Sequence, residues 1–433
     1  MQLKRQFGLW TAVALVIGQV IAVGIFLTPA GMAKSVGSPF WLLVIWTLLG
    51  AMTLSGALCY GELAARFPEA GGSYVYLREI WGKPVAFLYG WMALLVLDPG
   101  LTAALAVGLT GYFVYLVPLS DGWQKVFAMA VVVFVGAINI LGARLGAEFL
   151  KALTVLKVAT LLFIIVYGFL GGFGNWQNFS PFFAAPEKPF DAFAGGIVGA
   201  FFAFAGWWEM TRMAGEIQNP PKNMPLAFII GIVAITLIYI STSAVFIYLV
   251  PTAAVADQKA FAAQAGEVLF GKTGGVVFAS IVVVSVFATL IAYLMVAPRV
   301  YYAMARDGLF FKKIGELHPR FGTPFLATVI QIVLACGLIL SGNFDEIISY
   351  FFFVVVVFIA LTAAGVFLVH GREFSGYRTF LYPLTPIFFL LVTTVVLLML
   401  AVKEPKRSFI GAAVVLLGLP VYYFILGGKQ NKK

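Results

Sequence analysis

The chain has 433 residues, 62% of them hydrophobic and 11% charged, with 42 phenylalanines. A soluble protein carries about 25% charged residues, so a water-soluble globular fold is excluded. The net charge of +10 does not indicate a nucleic-acid partner, because the basic residues are scattered through short loops, where positive charge marks the cytoplasmic side of a membrane.

Residues Met1 to Gln6 lead directly into an apolar span, and no cleavable signal peptide is visible. Runs such as Leu42 to Leu58 and Phe351 to Val369 match the roughly 17–25 residues that cross a bilayer. They lack the alternation of barrel strands, and their backbone must be satisfied internally. The prediction is an all-α integral membrane protein of about twelve transmembrane helices. The spans fall at about 8–33, 38–62, 84–116, 124–141, 147–171, 191–214, 225–250, 273–304, 324–341, 344–369, 380–402 and 408–426. With the amino terminus cytoplasmic, inner loops and tails hold about 19 Lys and Arg and outer loops about 8, so both termini are expected inside the cell (inner) membrane. The loops at 172–190 and 251–272 are the longest on the outside.

The first span carries Gly18, Gly24 and Pro29, and the sixth carries Gly195, Gly196, Gly199 and Gly206. Glycine holds a helix poorly and lets its backbone open. Gly24 and Gly206 lie about 182 residues apart, nearly the interval between the starts of those two spans. Interrupted helices at matched places in two halves point to a transporter binding site. Small residues also let membrane helices pack closely, and the sequence leaves both readings open.

Few ionisable residues fall inside the spans. Asp98, before Pro99-Gly100 in the third span, is a costly intramembrane acid, expected to bind a cationic substrate, carry a proton or serve structure. The fifth span enters near Gly146, which puts Lys157 about 15 Å deep at 1.5 Å per residue. Lys151 can snorkel to the interface, whereas Lys157 lies too deep. Glu209 follows the break in the sixth span, where capping of the half-helix is its expected role. Glu62, Arg66, Glu69, Glu216, Arg306 and Asp307 gather at the cytoplasmic ends as an inner gate or a solvated loop. Cys59 and Cys336 both lie in apolar spans, which argues against a disulfide framework or zinc site. His318 and His370 fall in loops, and no nucleophile–base spacing or phosphate loop appears. No enzyme activity, metal or cofactor is expected.

Three segments resemble the amino acid–polyamine–organocation superfamily, especially its L-type amino acid transporter branch. They are Ala22-Val23-Gly24-Ile25-Phe26, the run from Cys59 to Tyr74 (CYGELAARFPEAGGSY), and Arg299 to Gly308 (RVYYAMARDG). Gly215-Glu216 and Asn219-Pro220 fit as well. The resemblance implies a 5+5 inverted repeat with discontinuous helices 1 and 6. Residues 1–370 would form the ten-helix transport core, with repeats at about 8–171 and 191–370. Residues 371–433 would add helices 11 and 12 and a basic cytoplasmic tail. The chain departs from the family pattern at Ala22-Val23, where relatives carry glycine and serine, and at Trp207-Trp208-Glu209, and these departures bear on the substrate.

An opened first helix exposes carbonyls at the end of one half and amides at the start of the other, which suits a zwitterion. The expected substrate contacts are Gly18, Ala22, Val23, Gly24, Ile25, Phe204, Ala205, Gly206 and Trp207, with Trp208 as a cover. A Gly24→Leu side chain is expected to occupy the ligand space. The resemblance places Lys157 where sodium-independent relatives carry a lysine, bridging to helix 1 and to Ser285 and Thr289, with Asp98 as a nearby acid. The gate expectation is Glu62, Arg66, Glu216 and Arg306. Together these predict a sodium-independent exchanger or proton-linked carrier of small neutral amino acids. A polyamine or cationic amino acid carrier is the alternative, ahead of a channel or membrane enzyme. The expected partners are an amino acid or related amine and the lipid bilayer, with no nucleic acid. Animal relatives of the branch are tied to a glycoprotein by a cysteine between helices 3 and 4. Val117 to Lys125 contains none, so no disulfide-linked partner is expected.

Overall fold

The computed structural model describes residues 3–22, 24–186, 188–251, 260–342 and 344–427, with backbone alone at 27, 260–263, 272, 344–351 and 425–427. Among these residues the protein is nearly all helix, and ten helices are long and apolar enough to cross a membrane. The shorter apolar helices Leu9–Val20 and Phe325–Ser341 occupy the first and ninth predicted spans.

The first crossing is made in two pieces, α1 (Leu9–Val20) and α2 (Gly24–Val36). Next come α3 (Pro39–Arg66), the short α4 (Ser73–Trp81), α5 (Lys83–Met92), α6 (Asp98–Phe113), α7 (Asp121–Leu141) and α8 (Ala143–Leu170). A π turn at Ala93–Leu97 joins α5 to α6. Pro99 has no N–H and its ring crowds the carbonyl four residues back, so the wider turn absorbs the misfit.

The second half repeats the order. Its broken crossing is α9 (Pro189–Phe204) followed by a 3₁₀ segment, Trp207–Glu216. Then come α10 (Pro220–Leu249), α11 (Ala260–Phe270), α12 (Gly274–Val296), α13 (Pro298–Arg306), α14 (Phe325–Ser341), α15 (Phe344–Ala364) and α16 (Val366–Val369). Counterpart helices of the two halves meet: α2 packs on α9, α3 on α10 and α6 on α12. Of the added helices, α17 (Leu384–Lys403) packs on α3 and α18 (Pro405–Leu416) on α15.

Two expectations need correction. The segment 251–272 is not loop throughout, because α11 forms within it and packs on α12 and α2. Its buried Ala265 and Leu269 stand one helical turn apart, which gives it an inner face. The glycines of the sixth span divide between the two readings. Helix α9 runs unbroken through Gly195 and Gly196, where an added Cβ would lie 2.9 Å from Ser35 Oγ and 2.6 Å from Ile45 Cδ1. These two are packing glycines, and Gly206 marks the break.

The contact between α3 and α10 depends on Gly50, where a Cβ would lie 2.4 Å from Thr236 Cγ2. Gly50→Leu is expected to cost about 1–3 kcal/mol through overpacking. Thermal unfolding in detergent checks this as a midpoint several degrees lower.

Candidate substrate site

Helix α1 stops at Val20 and α2 starts at Gly24. The turn between them frees carbonyls that a continuous helix would use. Lys157 of α8 reaches them: its Nζ donates to Gly18 O at 3.2 Å, Ile21 O at 2.6 Å and Thr289 Oγ1 at 3.3 Å. An ammonium has three N–H donors, and these three oxygens use all of them. From α12, Ser285 Oγ donates to Ile21 O at 3.2 Å and Thr289 Oγ1 to Gly18 O at 2.9 Å. The side chains expected around Lys157 therefore meet, apart from Asp98.

The second break is made by Gly206, at φ +99° between α9 and the 3₁₀ segment. A left-handed conformation costs other residues about 1–2 kcal/mol, and an added Cβ would lie 3.3 Å from Gln19 O. Tyr239 of α10 ties the two breaks together, its hydroxyl lying 3.0 Å from Val20 O and 3.1 Å from Ala203 O. Gly24 sits against the other half, with its Cβ position 2.9 Å from Ala203 Cα. A Gly24→Leu side chain would thus push α2 from α9 as well as enter the cavity that Gly24 lines.

Asp98 lies in a different cluster. Its carboxylate accepts Arg212 Nη1 at 3.0 Å on both oxygens, and the hydroxyls of Tyr293 and Tyr301 at 2.7 Å each. Arg212 also donates to Tyr89 Oη at 3.0 Å and faces Glu209 at 2.6 Å. Glu209 caps no half-helix: its carboxylate takes Arg212 and, at 2.7 Å, Trp208 Nε1. All three charged groups are buried. Two carboxyl groups thus share one guanidinium.

A cavity of about 320 Å³ lies where the two breaks meet. It is lined by Gln19, Ala22, Gly24, Ala205, Gly206, Trp208, Glu209, Thr289 and Tyr293. It runs from Leu97 at the end of the π turn along α6 to Gly108, roughly 16 Å of rise, away from the end that carries Arg66 and Arg299. Four expected contacts do not line it. Gly18 serves Lys157 through its carbonyl, and Ile25 is buried. Phe204 packs on Trp46 and Tyr239, while Phe202 reaches the cavity. Trp207 turns to Tyr60, with ring centroids 4.9 Å apart, and Trp208 takes the place beside the cavity. Val23 lies outside the described residues.

Sequence comparison matches residues 7–426 to the amino acid permease family. The chain belongs to that family. It is similar to the serine/threonine exchanger SteT of Bacillus subtilis, at 31% identity over 99% of this chain and 98% of that protein. It is also similar to the human cystine/glutamate transporter, at 28% identity over 100% and 87% of the two chains. The human large neutral amino acids transporter small subunit 2 matches at 27% over 97% and 80%. This permease is therefore a multi-pass membrane transporter of the amino acid–polyamine–organocation superfamily, resembling its L-type branch, and transports amino acids.

The expected gate residues of the permease fall into separate clusters. Glu62 pairs with Arg66 at 2.8 Å and accepts from the Thr379 backbone N–H at 2.8 Å, with His370 Nδ1 at 2.9 Å. His370, read as a loop residue, thus belongs to this contact. Glu216 pairs with Arg299 at 2.9 Å, and its backbone carbonyl accepts from the N–H groups of Gln6 and Phe7. Arg306 is exposed and joins neither cluster, and Arg78 instead makes the ion pair to Asp307 at 2.6 Å.

Sequence reading missed Arg212, Tyr239, Gln19 and Arg299. Arg212 carried a usable signal: an arginine inside a membrane span three residues after Glu209, where a charged residue needs a partner. Arg212→Met leaves Asp98 and Glu209 without a counter-charge and is expected to cost about 3–5 kcal/mol. Adding Asp98→Asn should raise the thermal midpoint above that of the single variant. A double variant no more stable than the single would contradict the shared-cation arrangement.

Proposed function

We propose that this permease is a sodium-independent secondary transporter of small neutral amino acids, working by alternating access as an exchanger or proton-linked carrier. The observation that carries this reading is the Lys157 ammonium among the oxygens of Gly18, Ile21 and Thr289. Such a ring of carbonyl and hydroxyl oxygens suits a small monovalent cation, and here a fixed cation already fills it. A free sodium ion would meet both its volume and its charge.

The substrate α-ammonium would face the carbonyls freed at the two breaks, and its carboxylate the amides at the start of α2, where the helix dipole favours an anion. Relatives named for serine and threonine or for large neutral amino acids support a neutral substrate. Asp98 and Glu209 gave the cationic alternative its support, and both already face Arg212. The transport core would be residues 1–370, with repeats at about 8–171 and 191–370 and the remaining helices outside it. Both termini would lie in the cytoplasm of a cell-membrane protein, with the Glu62 and Glu216 clusters closing the inner side. The segment from Val117 to Lys125 holds no cysteine, so the carrier would act without a disulfide-linked partner.

Uptake into liposomes containing the purified protein tests the reading. Replacing sodium by choline should leave uptake unchanged, and Lys157→Ala should remove most of it. That variant removes the ammonium from the Gly18 and Ile21 carbonyls, which keep the hydroxyls of Thr289 and Ser285 as donors. A strict sodium requirement, or full activity in the alanine variant, would reject the proposal.

A further inference from the structure

Four residues with polar side chains line the cavity between the breaks: Gln19, Glu209, Thr289 and Tyr293. Two are already committed. Thr289 donates to a main-chain carbonyl and accepts from Lys157, and Tyr293 donates to Asp98. Gln19 differs. It is 5% exposed, and its Nε2 has no hydrogen-bond partner among the described residues. Gly206 leaves the room beside it, since any Cβ there would approach the Gln19 backbone and Cβ. Glu209 holds Trp208 Nε1 on one oxygen and faces Arg212 with the other. Each carboxylate oxygen has two lone-pair directions, so acceptor capacity remains.

We propose that Gln19 and Glu209 select amino acids whose uncharged side chain both donates and accepts, as a hydroxyl or a carboxamide does. The proposal rests on the amino acid transport reading and narrows its substrate class. A hydroxyl donates to the Glu209 carboxylate and accepts from the Gln19 amide, so both groups gain a partner. An aliphatic side chain satisfies neither and leaves the buried amide unpaired. A cationic side chain satisfies Glu209 alone. An acidic one satisfies Gln19 but sets a second negative charge beside Glu209, where Asp98 and Glu209 already outnumber Arg212. The wall that the π turn and α6 contribute through Leu97, Leu101 and Leu105 is apolar, so it supplies no competing polar group.

The discriminating pair is threonine against valine, which differ by a hydroxyl in place of a methyl. Counterflow uptake of each is measured with the full-length protein in liposomes. The unmodified protein should favour threonine in kcat/KM by roughly tenfold or more, because a site built to bond a hydroxyl rejects the analogue that lacks it. Gln19→Met keeps the side-chain length without the amide, and Gln19→Glu keeps the shape without the donor. Both should bring the ratio down towards one. Equal handling of threonine and valine by the unmodified protein would overturn the proposal without any variant. An equal loss for both substrates in Gln19→Met would also overturn it, by assigning Gln19 to the α-carboxylate. Absence of counterflow with any amino acid would overturn the transport reading itself and this inference with it.

Discussion

A helix that stops halfway across a bilayer leaves carbonyls where no water can reach them, and each unsatisfied group costs several kcal/mol there. This permease stops two helices that way, and the rest of its centre is arranged around the donors they need. Lys157 takes the carbonyls of Gly18 and Ile21, and Tyr239 lies against those of Val20 and Ala203. Because Lys157 belongs to α8 and Tyr239 to α10, the broken ends are fixed by helices from both halves of the chain. Thr289 and Ser285 add α12 to the same knot. The open backbone is thus held in place beside a small cavity.

Charge is handled by a second device a few residues away. Asp98, Arg212 and Glu209 are all buried, and burial of this kind is tolerated only where charges are paired and their remaining hydrogen bonds are met. Asp98 meets that condition fully, with Arg212 and two tyrosines. Glu209 meets it less completely and is the carboxylate that lines the cavity. The neutral oxygen cage around Lys157 and the acidic cluster around Arg212 therefore divide the centre. One fixes backbone, and the other sets the polarity of the cavity beside it.

The breaks were legible because glycine has a backbone signature that no neighbour alters. Gly24 and Gly206 stand at matched places, and Gly206 adopts a left-handed conformation. The burial of Lys157 was legible from depth, and its bridge to helix 1 from the family resemblance. Facing was harder to read. Residues one or two apart in a helix point about 100° or 200° apart, so span-level patterning did not separate Phe202 from Phe204 or Trp207 from Trp208. Partners set by the meeting of distant helices were hidden too: Asp98 and Arg212 lie 114 positions apart, and Tyr239 and Val20 lie 219 apart. Gln19 gave no signal, because an uncharged amide in an apolar helix does not reveal whether anything bonds it.

The proposed substrate occupies the gap between α1 and α2. The chain has only two cysteines, so a Cys59→Ala, Cys336→Ala background leaves a single reactive thiol when Ala22→Cys is added. Ala22 is half-buried and lines the cavity. The rate at which a membrane-impermeant thiol reagent labels that cysteine, with and without a saturating transported amino acid, is the direct measurement. Labelling should be slowed several-fold by the amino acid. An unchanged rate with a substrate that the same variant still transports would contradict that occupancy.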